Sequence, residues 1–177
     1  MKKTYQVIDR RDFIKKSALG IAGLSLAPAL LAQVKANGKL RTAHIGLGGM
    51  GMEDLRAIAS HPMVEVVALC DVDTNALSNA TALYPQAKTY SDYRLLLKEM
   101  KDQFDAVVVS TPDHTHATIA MEAMRRKKHV YVQKPLTHDI YEARLLGEKA
   151  AEMKVVTQMG NQGSSGDGVR KMVEWFD

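Results

Sequence analysis

The chain has 177 residues, 24 Lys+Arg against 20 Asp+Glu, a single cysteine and 46% hydrophobic residues. That balance excludes a disordered chain, and one cysteine excludes an intrachain disulfide framework. The net charge of +4 does not mark a nucleic-acid partner: residues 1–16 hold six basic and two acidic side chains, the whole excess, and the rest carries 18 of each.

The N-terminal residues read as an export signal. Arg10-Arg11-Asp12-Phe13-Ile14-Lys15 resembles the twin-arginine consensus. Residues 17–32 carry no charge and are too few for a membrane span, which needs roughly 20 residues. Small residues at Ala27-Pro28-Ala29 complete the pattern of a cleaved signal. Residues 1–36 are therefore expected to be signal and linker, exported folded to the periplasm through the twin-arginine translocase. No stable membrane anchor is expected. The lone Cys70 is far from any cleavage site, which rules out a lipoprotein anchor.

From residue 37 onward, short apolar runs alternate with longer helical patterns. Strands are expected at 40–46, 64–71, 88–90, 106–110, 129–133 and 155–159. Helices are expected at 50–60, 75–83, 92–100, 116–127 and 139–153, with a last one from about 168. A run such as Ala106-Val107-Val108-Val109 is apolar on both faces, as a parallel strand covered by helices must be. The alternation implies right-handed crossovers and an α/β, doubly wound parallel sheet of the Rossmann kind over residues 37–177. Ligands bind such sheets at the carboxyl ends of the strands.

The first strand end carries Gly46-Leu47-Gly48-Gly49-Met50-Gly51, a G-x-G-x-x-G turn between a strand and a helix, with Asp71 twenty positions beyond Gly51 at the end of the next strand. Gly46 permits the tight turn, Gly48 lets backbone approach a pyrophosphate, and Gly51 lets helix and strand pack closely. The helix start offers N–H groups to phosphate. Asp71 can accept from both adenosine ribose hydroxyls, and its charge opposes a 2′-phosphate, so NAD is favoured over NADP. Further polar clusters close later strands: Ser110-Thr111-Pro112-Asp113-His114-Thr115-His116, Gln133-Lys134-Pro135 and Gly160-Asn161-Gln162-Gly163. Lys134 is the candidate catalytic residue, its ammonium able to donate to a substrate hydroxyl whose carbon loses hydride. His114 and His116 are read as loop histidines lining the crevice. H-x-H without a cysteine or acidic cluster, and with His138 apart from it, gives no expectation of a metal. The basic run Arg125-Arg126-Lys127-Lys128 is read as a solvated helix end, complementing the helix dipole.

Together these residues resemble the Gfo/Idh/MocA oxidoreductase family, named for glucose–fructose oxidoreductase and inositol dehydrogenase. Gly46–Gly51 and Asp71 are similar to its dinucleotide turn and ribose-binding acid, Pro112–His116 to its P-N-x-x-H segment, and Gln133-Lys134-Pro135 to its E-K-P motif. Asp113 stands for the asparagine, and Gln133 for the glutamate. The resemblance implies cofactor contacts from Gly46, Leu47, Gly48, Gly49, Met50, Gly51, Asp71, Ser110, Thr111, Pro112, His114, His116, Gln133, Lys134 and Asn161. It also implies a sugar or polyol substrate and a homo-oligomeric full-length form. It covers only the first half of a family member: the C-terminal α/β substrate domain is absent from this chain, which is then expected to be a fragment inactive alone. Two other readings follow. One is an NAD-dependent glycosidase that oxidises its sugar transiently; the other is a non-catalytic dinucleotide-binding module.

Overall fold

The computed structural model describes residues 38–176. The expected signal at residues 1–36 lies outside them. The elements are β1 (Leu40–Ile45), α1 (Met50–Ala59), β2 (Val64–Cys70), α2 (Thr74–Leu83), β3 (Lys88–Tyr90), α3 (Tyr93–Glu99), β4 (Ala106–Val109), α4 (Asp113–Arg125), β5 (His129–Val132), α5 (Ile140–Met153), β6 (Thr157–Met159), α6 (Gln162–Ser165) and α7 (Asp167–Phe176). All six strands run parallel in the order β3-β2-β1-β4-β5-β6. The strand order reverses between β1 and β4, so the crevice outside their carboxyl ends is the switch point at which a ligand fits.

Period-2 alternation sorts the strand residues onto two faces. Ala43, Ile45, Ala68, Cys70, Val107 and Val109 meet Leu96, Leu97, Ile119, Ala120, Ala123, Met124 and Leu146 in the larger core, beneath α3, α4 and α5. Leu47, Leu55, Val66, Leu69, Ala80 and Ala87 form the smaller core with α1 and α2. Between these strands' alternating apolar positions lies a polar seam. Thr42 and His44 are each 1% exposed, and Asp54 on α1 is 4% exposed. His44 Nε2 is 3.1 Å from Thr42 Oγ1, while His44 Nδ1 has no hydrogen-bond partner among the described residues. Burial pushes the His44 pKa down to about 4, because charging an imidazole there forfeits its hydration.

Aspartates cap three helices: Asp73 accepts from the Asn75 N–H at 2.8 Å, Asp92 from Arg94 at 2.9 Å and Asp139 from Glu142 at 2.8 Å. The His138 N–H donates in turn to the Glu142 carboxylate at 3.1 Å, closing a reciprocal cap on α5.

Two expected starts move by two residues or more. The fourth helix begins at Asp113, not at 116, because Pro112 (φ −58°) stands at the N-cap and the Thr115 N–H bonds back to its carbonyl at 2.9 Å. His114 and His116 are therefore helical, not on a loop. The last strand is shorter: Lys154 closes α5 in a left-handed conformation (φ 55°), and the Val155 N–H still bonds the Ala150 carbonyl at 3.2 Å, leaving pairing to begin at Thr157. The turn α6 was not anticipated. The basic run also divides: Arg125 and Arg126 pair with Glu122, whereas Lys128 folds back to donate to the Phe104 carbonyl at 2.8 Å, over the Phe104 ring.

Candidate functional site

The chain leaves β1 at Ile45 and turns at Gly46, whose φ of 88° is the left-handed region open to glycine. The turn is tight: a Cβ on Gly46 would stand 2.6 Å from the Ser110 backbone, and one on Gly51 would stand 2.3 Å from the Gly46 carbonyl oxygen. Gly48 differs, having open space where its Cβ would be. The roles expected of the three glycines therefore separate. Gly46 and Gly51 are required by the protein's own packing, and Gly48 leaves room for something else.

Helices α1 and α4 flank the switch point, and neither has a side-chain cap; Gly49 and Pro112 occupy their N-cap positions. Uncapped first-turn N–H groups and the positive dipole end suit an anion. Opposite them, Asp71 closes β2. Its Oδ2 accepts the Leu47 N–H at 2.6 Å and its Oδ1 the Asp73 N–H at 2.9 Å. Each oxygen keeps a lone pair for a hydroxyl.

A cavity of about 830 Å³ runs along these strand ends. It brings together Gly46, Gly48, Met50, Asp71, Ser110, Thr111, Pro112, His114, Gln133 and Lys134 from the expected set. Its volume suits a large cofactor, and the open space at Gly48 together with the uncapped helix start fits the diphosphate of a dinucleotide. Lys134 is exposed and lines the cavity after β5, three strands across the sheet from the end of β2 that bears Asp71. The other expected residues lie behind this surface or beside it. Leu47 is buried and contributes its backbone N–H to Asp71. Gly49 is exposed at the N-cap, and Gly51 is buried against Gly46. Asn161 is exposed and occupies the N-cap position of α6. His116 is 0% exposed, its Nδ1 2.7 Å from the Pro135 carbonyl oxygen and its Nε2 2.7 Å from that of Thr111. It does not line the cavity; it ties the loop after β4 to the loop after β5. Among the described residues, no group of three or more His, Cys, Asp and Glu side chains could hold a metal ion.

Several residues escaped the sequence reading. Ser91, Asp92, Tyr93 and Arg94 extend the cavity beyond β3. Asp54 is the larger omission. This buried carboxylate accepts from Ser110 Oγ at 2.7 Å and Gln133 Nε2 at 2.8 Å on one oxygen, and from Gln162 Nε2 at 2.8 Å on the other. A signal was available: Gly51, Asp54 and Leu55 form the buried stripe of α1, and a carboxylate on an inward stripe must have partners.

Comparison with known proteins agrees with this geometry. The family model GFO_IDH_MocA, an oxidoreductase family with an NAD-binding Rossmann fold, matches residues 40–161. Inositol 2-dehydrogenase of Salmonella typhimurium is 34% identical over 99 residues, which are 55% of this chain and 29% of that protein. A glycosyl hydrolase family 109 protein of Solibacter usitatus is 33% identical over 171 residues, 86% of this chain and 39% of that protein. The crystal structure of GenD2 from gentamicin A biosynthesis, in complex with NAD, aligns with a TM-score of 0.64 at 29% identity over 69% of this chain and 34% of its own. The chain thus spans well under half the length of the curated relatives it matches. The family match runs from the start of β1 to the N-cap of α6, taking in the whole sheet and every helix that lines the cavity, and on that ground the chain belongs to the Gfo/Idh/MocA oxidoreductase family.

Proposed function

We propose that this chain is the NAD-binding part of an exported oxidoreductase that acts on a hydroxyl of a sugar or polyol. One observation carries the reading: Gly46, Gly48, Asp71 and Lys134 line a single cavity at the switch point of the sheet. Gly46, Gly48 and the start of α1 would hold the diphosphate, Asp71 the adenosine ribose, and Ser110, Thr111, Pro112, His114 and Gln133 the remainder. When bound, the nicotinamide supplies the hydride acceptor. Lys134 would donate a hydrogen bond from its ammonium to the substrate hydroxyl and lower that hydroxyl's pKa, so that its proton passes to solvent water as hydride leaves the same carbon. His116 keeps the loop bearing Lys134 and Pro135 against the loop bearing Thr111.

A second reading is a glycosidase that oxidises its sugar transiently, releases the aglycone and returns the hydride. It is favoured by the family 109 relative, which aligns over 86% of this chain. The two readings separate by product: accumulation of reduced cofactor with a free sugar supports the dehydrogenase, and cleavage of an aryl glycoside without net reduction supports the glycosidase. Periplasmic export belongs to the same proposal and rests on Arg10-Arg11 and the uncharged residues 17–32. Cell fractionation of the Arg10→Lys, Arg11→Lys variant tests it, with retention in the cytoplasm expected.

The primary test is calorimetric titration of the 177-residue chain with NAD. Saturable one-site binding that is weakened in a Gly48→Ala variant, whose Cβ meets open space in the fold, supports the reading; failure of the folded wild-type chain to bind NAD overturns it.

A further inference from the structure

The carboxylate of Asp54 gathers three strand ends at one point. Ser110 follows β4, Gln133 follows β5 and Gln162 follows β6, and all three donate to it. Ser110 and Gln133 also line the cavity, whereas Asp54 sits behind them. The consequence lies in the amide of Gln133. Its Nε2 faces a carboxylate, which only accepts, and its Oε1 receives the Lys134 backbone N–H at 2.7 Å, which only donates. An amide turned over would oppose donor to donor and acceptor to acceptor at both ends, so Asp54 permits a single orientation. Gln133 is 5% exposed, so water is not there to replace a lost partner. On the other side of Gln133, Gly160 brings β6 so close that a Cβ on it would lie 2.9 Å from Gln133 Oε1 and 2.6 Å from the Tyr131 hydroxyl. The Gln133 amide is thereby enclosed as well as bonded. The charge of Asp54 is felt around it, since burial first and Asp54 second hold the Tyr131 phenol above its usual pKa.

We propose that Asp54 is a positioning residue for the cofactor site: through Gln133 it holds the backbone of Lys134 in register beside the cavity, and residue 133 is an amide because Asp54 already carries the one negative charge this pocket accommodates. The inference rests on the reading of Lys134 as the residue that meets the substrate hydroxyl.

The pairing predicts a charge exchange. Gln133→Glu sets two carboxylates against each other in a buried site. Asp54→Asn combined with Gln133→Glu returns the pair to one amide and one carboxylate, with the carboxylate still able to accept the Lys134 N–H. Amide hydrogen exchange in the 177-residue chain reads this directly. The Gln133 N–H bonds the Val109 carbonyl at 2.8 Å and reports the sheet, while the Lys134 N–H reports the Gln133 side chain. In Gln133→Glu, Lys134 exchange is expected to accelerate on the order of tenfold relative to the Gln133-position amide, with NAD affinity falling on the order of tenfold. In the double variant both should return to within about threefold of wild type. A general loss of stability would move the two amides together and would not be repaired by the second substitution. An unchanged exchange ratio in Gln133→Glu, or a double variant no nearer wild type than the single one, overturns the proposal. Should Gln133→Glu not fold, a folded double variant supports the coupling and an unfolded one overturns it. Activity of a Lys134→Ala protein is a separate measurement: if turnover survives there, the catalytic reading of Lys134 fails while the exchange result on Asp54 stands.

Discussion

Asp71 and Leu47, at the ends of neighbouring strands, are joined by one hydrogen bond in which the Leu47 N–H donates to Asp71 Oδ2 at 2.6 Å. The residue proposed to meet the ribose is thus also a brace for the glycine turn proposed to meet the diphosphate. The two halves of the proposed adenosine diphosphate site are joined by this bond, and a change at Asp71 reaches both.

Asp71→Asn should weaken NAD binding roughly ten- to a hundredfold, since one lost charge-assisted hydrogen bond is worth roughly 1.5–3 kcal/mol. NADP should lose less, because the charge opposing its 2′-phosphate is gone. Parallel titrations of both cofactors check this, and an equal loss for the two would count against Asp71 as the residue that discriminates.

The three glycines should separate by experiment as they do by geometry. Gly51→Ala sets a Cβ 2.3 Å from the Gly46 carbonyl oxygen and should lower folding stability by about 3 kcal/mol. Gly48→Ala meets open space, so its stability should stay within about 0.5 kcal/mol of wild type, while NAD affinity falls on the order of tenfold. Thermal melts with and without NAD distinguish the two. A Gly48→Ala chain that binds NAD normally would remove Gly48 from the diphosphate site.

His44 should make folding sensitive to acid. Burial lowers its folded-state pKa to about 4 from the ordinary imidazole value of 6.5, so between those values the unfolded chain binds a proton that the folded chain refuses. Stability is therefore full above about pH 6.5 and is lost as pH falls toward 4, by on the order of 3 kcal/mol. Below 4 this contribution levels off. Urea midpoints measured across that range should show the slope in wild type and its reduction in His44→Leu. Equal slopes would mean that other groups dominate.

His116→Ala removes the ring that spans the Thr111 and Pro135 carbonyls. Loss of one buried anchor and the gap it leaves should cost about 2–4 kcal/mol. Because the lost ring joins the two loops beside Lys134, limited proteolysis should open between residues 133 and 139 before the sheet unfolds. A variant cleaved no faster there than wild type would contradict the tether.

The reading of the fold from sequence succeeded where local rules are strong. Apolar runs at β4 and β5 and the turn at Gly46–Gly51 report backbone geometry that a few neighbouring residues dictate. The start of α4 is not legible in the apolar pattern, because Pro112 stands at the N-cap and the polar residues Asp113 to His116 form the first turn. The shortened β6 depends on the left-handed Lys154, which no local pattern announced. The N-terminal export reading concerns residues outside those described.

Composition, periodicity and motif spacing alone were enough to establish a parallel α/β chain with a dinucleotide turn, an acidic residue one strand later and a lysine three strands beyond that. These are local or regularly repeating features, and their physics acts within a few residues. What the sequence left open were contacts between residues far apart in the chain. The tertiary structure withdrew His116 from the cavity to pin two loops, added the group after β3, and set Asp54 against Gln133, 79 residues away. A buried carboxylate is tolerable only where donors converge on it, and that convergence exists only once the strand ends have been brought side by side.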